Sequence, residues 1–285
     1  MLSYRHAFHA GNHADVIKHI TLILCCEHFC KKDKGFSYID THAGAGMYDL
    51  KSAAANKNNE QLEGIGILSK LPTPPKTLKS YLSLVEQAKK HKHSAYPGSP
   101  WFATQYLRAQ DQATLFEMHP KDYSLLTSLF SGNRRVRVKQ ADGYQSLKSL
   151  FPPPSRRALA LIDPPYEQEK EYQSVIHTLK EGISRFNSGT YIIWYPLINR
   201  PNSAKNKAAE KMLRQIKSLF NQEQLHVQFT LDNDMKGMYG SGLAIINPPW
   251  GLKEQLQEVL AFLCSLGEKQ KRQFSLEAIE IKRKT

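Results

Sequence analysis

The chain has 285 residues, 41% of them hydrophobic, enough for one large α/β domain or a domain carrying an insertion. No apolar run approaches the ~20 residues that span a bilayer, and the start, Met-Leu-Ser-Tyr-Arg-His, lacks a signal-peptide apolar region, so a cytoplasmic protein with no membrane partner is expected. A formal net charge of +13 points to a polyanion, most often nucleic acid, and four cysteines without a Cys-x-x-Cys pair argue against a disulfide framework or a zinc ribbon.

Residues 1–13 are rich in rings and bases: Tyr4, Arg5, His6, His9 and His13. Asn12 is placed to cap a helix over 14–32, with Asp15 in its favourable first turn. Val16, Ile17, Ile20, Ile23 and Leu24 form the buried stripe of that helix, and Lys18 and His19 lie beside it. His9 and His13 are four apart, but Gly11 and Asn12 interrupt any helix between them. No acid or thiol is close enough in sequence to complete a metal site, so no metal is expected. A hydrogen-bonding rim over an active site suits these histidines better.

A short strand over 35–40 ends in Asp40 and runs into Thr41-His42-Ala43-Gly44-Ala45-Gly46. Glycines at the carboxyl end of a strand let the backbone turn sharply and let a ligand approach closely. The absence of Gly-Lys-Ser/Thr disfavours nucleoside triphosphate binding. An acid, small residues and Gly-x-Gly in this order resemble the first motif of S-adenosylmethionine methyltransferases. Residues 50–94 then break the strand–helix alternation and predict a small helical insertion. The expected organisation is therefore a main domain of 1–49 and 95–285 and a helical subdomain of 50–94. Tyr96-Pro97-Gly98-Ser99-Pro100 closes the insertion, and a helix with Trp101, Phe102, Tyr106 and Leu107 follows.

The second strand, 113–117, ends in Glu117; an acid at this place in nucleoside-cofactor folds accepts hydrogen bonds from ribose hydroxyls. The third, 136–139, is followed by Asp142 and Gly143, and Asp142 is a candidate for a cofactor adenine amine. The fourth, Ala-Leu-Ala-Leu-Ile over 158–162, has the composition of a buried parallel strand. It runs into Asp163-Pro164-Pro165-Tyr166, where prolines without an N–H stop the ladder. Two fixed acceptors, the Asp163 carboxylate and the Pro164 carbonyl, suit the two hydrogens of a planar amine and favour a more nucleophilic, pyramidal nitrogen. Tyr166 offers a ring for stacking on a base. The tetrapeptide resembles the Asp/Asn-Pro-Pro-aromatic motif of amino-group methyltransferases, without choosing among adenine N6, cytosine N4, guanine N2 and glutamine. Asp40, Glu117, Asp142 and Asp163 end four successive strands, which predicts their gathering along one sheet edge.

A helix over 170–186 precedes a fifth strand, 190–195, expected to stop at Pro196. A lysine-rich amphipathic helix (204–220), a sixth strand (225–231), a polar loop (233–242) and a seventh strand (243–247) follow. Asn247-Pro248-Pro249-Trp250 repeats the acceptor-Pro-Pro-aromatic pattern before a last helix. The charged tail, 269–285, reads as loosely held.

The predicted fold is α/β: a Rossmann-like, seven-stranded, mostly parallel sheet with the last strand antiparallel, plus the insertion. It resembles a class I methyltransferase. Tyr4-Arg-His-x-Phe-His-Ala-Gly-Asn-His-Ala-Asp15, Lys18-His19, Asp40-Thr-His-Ala-Gly-Ala-Gly46, Tyr96-Pro-Gly-Ser-Pro100, Ile162-Asp-Pro-Pro-Tyr166 and Ile246-Asn-Pro-Pro-Trp250 together resemble the ribosomal RNA large subunit methyltransferase J family. The resemblance covers almost the whole chain except its extreme C-terminus, and it implies N6-methylation of an adenine in 23S rRNA. It implies S-adenosylmethionine held by Lys18, His19, His42, Gly44, Gly46, Ser99, Glu117, Asp142, Gly143 and Asp163. It implies a catalytic Asp163-Pro164-Tyr166 loop, substrate contacts from Tyr4, His6, His9 and Tyr166, and a monomer acting on 23S rRNA. A DNA adenine methyltransferase, which would be expected to carry a separate target-recognition domain, and a non-catalytic RNA-binding module on the same fold are the alternatives.

Overall fold

The computed structural model describes residues 5–199, 204–231, 237–267 and 271–281. The chain forms two compact units, Met1–Asp142 and Gly143–Thr285.

In the first unit a 3-10 turn, His6–Phe8, leads to helix α1, His13–Cys30. Asn12 caps α1 as its position requires, its side chain accepting from the Asp15 N–H at 3.0 Å. α1 is buried over most of its circumference, Cys25 and Cys26 included, and burial pushes both thiols up, keeping them protonated. Strands β1 (Ser37–Asp40) and β2 (Met47–Asp49) follow. Helices α2 (Ala53–Asn58), α3 (Ile65–Leu68) and α4 (Lys76–Ala88) then occupy the stretch expected to be a helical insertion. Strand β3, Ala95–Pro97, pairs antiparallel with β2, Tyr48 opposite Tyr96, and this ribbon ties the two ends of the insertion together. Three-residue strands are too short to show a period in sequence. α4 turns Leu78, Tyr81, Leu84, Val85 and Ala88 inward, and Tyr81 stacks on Phe102 of α5 (Ser99–Thr104) at 5.5 Å between centroids.

Strand β4 (Gln112–Phe116), helix α6 (Pro120–Leu129) and strand β5 (Val136–Lys139) complete the unit. β4 pairs in parallel with β1 on one side and β5 on the other, with Asp40 beside Leu115 and Phe116 beside Lys139. Parallel pairing puts the carboxyl ends of all three strands, and so Asp40, Glu117 and Asp142, on one edge.

The second unit holds α7 (Gly143–Leu147), β6 (Ala158–Ile162), α8 (Lys170–Arg185), β7 (Thr190–Asn199), α9 (Ala204–Leu219), β8 (Gln224–Thr230), β9 (Gly237–Ile246), α10 (Leu252–Ser265) and β10 (Gln273–Ile279). All five residues of β6 are buried, as its unbroken apolar run requires. β6 and β7 are parallel, and β9 lies antiparallel between β7 and β8. Among the described residues no helix is long and apolar enough to cross a membrane, and no group of three His, Cys, Asp or Glu is placed to hold a metal.

Three expectations are corrected here. β7 does not stop at Pro196 but runs through it to Asn199, with Pro196 opposite Ser241 and a register shift at Leu197 and Ile198. β6 accompanies β7 only as far as Ile193, so past that point one edge of β7 lies beyond its parallel neighbour, where a missing N–H is tolerated. Residues 237–242, expected as loop, are the first part of β9, because all of them but Tyr239, at the register shift, face a residue of the extended β7 or of β8. The tail is not loosely held over 273–279: it pairs antiparallel along the whole of β8. Phe274, Leu276 and Ile279 are half-buried, and Glu277 pairs with Lys217 of α9 at 2.5 Å, so the strand covers the edge that β8 would otherwise leave open.

Candidate active site

In the first unit the turn after β1 is built around carboxylates that hold backbone. Gly44 and Gly46 take φ of +62° and +74°, conformations that favour glycine. A Cβ added to Gly44 would lie 2.1 Å from the Tyr48 hydroxyl, and one on Gly46 would lie 2.8 Å from Leu126 and from Leu129. Glu117, just past β4, accepts from the Gly44 N–H at 2.8 Å with one oxygen and from the His119 N–H at 2.6 Å with the other. Burial raises its pKa, partly offset by those two N–H groups. An ionised carboxylate has about four lone-pair positions, so two remain for further donors such as a pair of ribose hydroxyls.

Asp40 plays a supporting part. It is fully buried and accepts from the Tyr38 hydroxyl (2.7 Å), the Ser99 hydroxyl (2.8 Å) and the His42 N–H (3.2 Å). It therefore fixes the first residue of α5 and the start of the glycine turn together. The His42 ring takes a 2.8 Å hydrogen bond between Nδ1 and the Thr41 hydroxyl; it reaches the surface only in part, and burial pushes it down to about 3. Asp142, half-buried, is the last residue of this unit; Gly143 opens α7 in the other.

Lys18 and His19, expected at the cofactor, are only 4% and 1% exposed. Both face Asp15, a buried hub that sequence reasoning read only as a helix-start charge. Asp15 meets the Lys18 ammonium at 2.9 Å, His6 Nε2 at 2.9 Å, the Gly11 N–H at 2.9 Å and His19 Nε2 at 3.8 Å. Burial alone would raise its pKa; His6, Lys18 and His19 together hold it well below the ordinary range. His19 Nδ1 lies 3.0 Å from the Tyr96 hydroxyl, and burial pulls its imidazole down to about 3. The segment before α1 is thus bound by three acids on three elements. Arg5 meets Asp122 of α6 at 3.3 Å, His6 meets Asp15, and His9 Nδ1 meets both oxygens of Glu60 at 2.9 Å. His6 and His9, expected at the substrate, each commit a ring nitrogen to this anchoring. Tyr4 lies outside the described residues.

In the second unit Asp163 and Pro164 follow β6 directly, Asp163 half-buried and Pro164 buried. The last register pair of β6 and β7, Ile162 with Ile193, immediately precedes Asp163. Tyr166 closes the motif in a left-handed conformation. Its φ is +50° and it is 2% exposed. Its ring packs against Tyr172 at 4.5 Å and Trp194 at 6.0 Å, and its hydroxyl donates to the Trp194 carbonyl at 2.8 Å. These contacts fix the Tyr166 ring against α8 and β7 and its hydroxyl on β7.

The second Pro-Pro motif lies at the other edge. β9 is antiparallel to β7, so its end, Ile246, is beside Tyr191 at the start of β7. Asn247 donates from its amide nitrogen to the Asn187 and Gly189 carbonyls at 2.8 and 2.7 Å, which makes it a turn-builder.

Parallel β–α units ending in a glycine turn, a bridging carboxylate and, after a buried strand, Asp-Pro-Pro-Tyr define a Rossmann-like methyltransferase of class I. The family described as "Ribosomal RNA large subunit methyltransferase D, RlmJ" matches residues 33–277. Ribosomal RNA large subunit methyltransferase J of Escherichia coli (strain K12) is 44% identical over 268 residues, covering 93% of this chain and 94% of the relative. The protein of the same name from Haemophilus influenzae is 41% identical over 269 residues, 92% of this chain and 93% of the relative. A crystal structure from Legionella pneumophila, 36% identical, superposes with a TM-score of 0.84 over 95% of this chain and 98% of that one. The chain belongs to the ribosomal RNA large subunit methyltransferase J family and is a methyltransferase.

Proposed function

We propose that this enzyme transfers a methyl group from S-adenosylmethionine to N6 of an adenine in 23S rRNA. The observation that carries the reading is the Asp163-Pro164 pair of acceptors immediately after a fully buried parallel strand, in a chain of this family. The net charge of +13 suits a polyphosphate substrate.

The residues of the first unit fit the cofactor. Glu117 keeps lone pairs for ribose hydroxyls, and the Gly44–Gly46 turn, packed on Tyr48, Leu126 and Leu129, is fixed at the strand end where a cofactor would lie. Asp142 is proposed at its adenine, and Ser99 and His42, both braced by Asp40, at its amino acid end. Lys18 and His19 would form the buried wall behind it, joined through Asp15. Bound there, the cofactor supplies a methyl group on a sulfonium, a leaving group that needs no protonation. No general acid is therefore required of the protein.

The protein's chemical task is to position and prepare the amine. Asp163 accepts one N6 hydrogen and the Pro164 carbonyl the other, which draws the nitrogen lone pair out of conjugation as the N–C bond forms. Holding the two reactants in line contributes a large part of the rate. Asp163 then stands as the acceptor for the proton that the methylated nitrogen sheds. The anchored segment of Arg5, His6 and His9 is proposed to present Tyr4 to the target nucleotide. The adenine must leave its stack to reach Asp163.

The test is methyl transfer from labelled S-adenosylmethionine to bulk rRNA lacking the modification, with DNA as the parallel substrate. Mass-spectrometric mapping of 23S rRNA from cells with and without the protein then identifies the nucleotide. Label appearing in rRNA as N6-methyladenine is expected; label in DNA alone, or in another base, would overturn the reading.

A further inference from the structure

We propose that the outer face of helix α9 is the track along which the RNA backbone lies when the target nucleotide is in the loop at Asp163, an inference that rests on the function proposed above. Positive charge is uneven within the second unit. α9 carries Lys205, Lys207, Lys211, Arg214 and Lys217 against one acid, Glu210. α8 sets three cations against two acids, and α10 one against two. Two of the cations on α9 are engaged locally: Lys217 pairs with Glu277 of β10, and Lys205 acts on Glu171 of α8. Lys207, Lys211 and Arg214 are exposed, and among the described residues none of them is in an ion pair, not even with Glu210. Their spacing of four and three puts them on one face of the helix, away from the buried Ala208, Met212 and Ile216. α8 shows the mixed pattern of a solvated face, its Glu181 pairing with Lys148 and His177. α9 instead offers three cations over about 10 Å, some three steps of a nucleic acid strand at roughly 3.4 Å each.

The direction of the chain brings this face to the site. β6 and β7 are parallel, and β7 and β8 both run antiparallel to β9, so β6, β7 and β8 share a direction. α9 joins the carboxyl end of β7 to the start of β8. It therefore begins at the edge where Asp163 follows β6 and runs away from it. Its middle turn also touches the motif loop, with Met212 Sδ 3.8 Å from the Tyr166 hydroxyl. Lys211 adjoins Met212 in the chain, and Lys207 lies one turn nearer the Asp163 edge. Contacts to phosphate fix where a strand lies and carry no sequence information. α9 thus supplies affinity and register, and the choice of base stays with the amine acceptors.

The experiment uses the full-length protein and 23S rRNA lacking the modification. One variant combines Lys207→Gln, Lys211→Gln and Arg214→Gln. The control combines Lys180→Gln, Arg185→Gln and Lys253→Gln, exposed cations of the same unit, so both variants lose the same charge. Filter binding over a range of salt concentrations gives the slope of log affinity against log salt. The slope should be shallower by about 2 to 3 in the α9 variant and within about 0.7, a single contact, of the parent's in the control. At moderate salt the α9 variant should raise KM for rRNA about tenfold or more while kcat at saturating rRNA stays within about threefold, with S-adenosylmethionine affinity unchanged. A parental slope and KM in the α9 variant, an equal loss in the control, or a fall in kcat at unchanged KM would overturn the assignment. If the triple variant does not fold, the three single substitutions decide, each expected to reduce the slope by about 0.7 to 0.9. Binding is read without turnover, so label in a base other than adenine would overturn the function proposed above while the slopes still judge α9.

Discussion

Asp163-Pro164-Pro165-Tyr166 and Asn247-Pro248-Pro249-Trp250 are the same pattern written twice in one unit, and the fold puts them to different uses. The first follows a parallel strand and opens at the carboxyl edge. The second follows the antiparallel strand β9 and closes against the start of β7. The backbone differs as well: the left-handed residue is the last of the first motif, Tyr166 at φ +50°, but the first of the second, Asn247 at φ +51°. Tyr166 offsets that strain by burying its ring, while Trp250 is 89% exposed. Asn247 spends its amide on two carbonyls, and its backbone N–H and C=O on the Glu223 carbonyl and the Thr190 hydroxyl, at 2.8 and 2.9 Å. On the proposed function, strand direction decides which of the two acceptors serves the chemistry.

The sharpest way to break this contrast is Asp163→Ala. Methyl transfer should fall by roughly a thousandfold or more while S-adenosylmethionine affinity, measured by calorimetry, stays within a few-fold. Loss of cofactor binding in the same variant would move Asp163 from the amine to the cofactor. A second test exchanges the acceptors. The double variant Asp163→Asn with Asn247→Asp should be as impaired in rRNA methylation as Asp163→Asn alone, since a carboxylate at position 247 faces a turn. Recovery of activity would mean that the second loop reaches substrate.

Acid probes stability apart from either loop. His19 and His226 are buried, and burial lowers their pKa from 6.5 to about 3 and about 4. Below pH 6.5 the unfolded chain takes up protons that the folded chain refuses, so the stability these groups contribute is fully present above 6.5 and is lost as pH falls toward 4. The slope approaches about 2.7 kcal/mol per pH unit for the pair. Thermal melting followed from pH 7 to pH 4.5 should show Tm falling throughout, and a Tm that rises on acidification would contradict the assignment of both rings as neutral. The smallest effect belongs to Asn247→Ala. Losing the turn bonds and forcing alanine into a left-handed conformation should cost about 1–2 kcal/mol. Differential scanning should find Tm lower by a few degrees with rRNA methylation intact.

What the sequence shows plainly is what repeats along it. Apolar runs punctuated by Asp40, Glu117, Asp142 and Asp163 mark strands and their ends, and Asn12 and Asp15 mark the start of α1. Harder to read are features whose signal is short or shared with something else. β2 and β3 are three residues each, and β10 hides its alternation of Phe274 and Leu276 inside a charged tail. Pro196 reads as a strand breaker until the length of β6 is known. Asp15 looks like a dipole charge, and its role as a buried partner of His6, Lys18 and His19 depends on a fold-back no local pattern encodes.

The most direct measurement of the central contrast is the single-turnover rate of rRNA methylation by Asp163→Asn and by Asn247→Ala, side by side, each verified as folded by circular dichroism. Asp163→Asn should be slower than the parent by about a hundredfold or more, and Asn247→Ala should remain within about threefold of it at a temperature below its melting transition. The reverse order would contradict the account, because the loop after the antiparallel strand would then be the one that handles the amine.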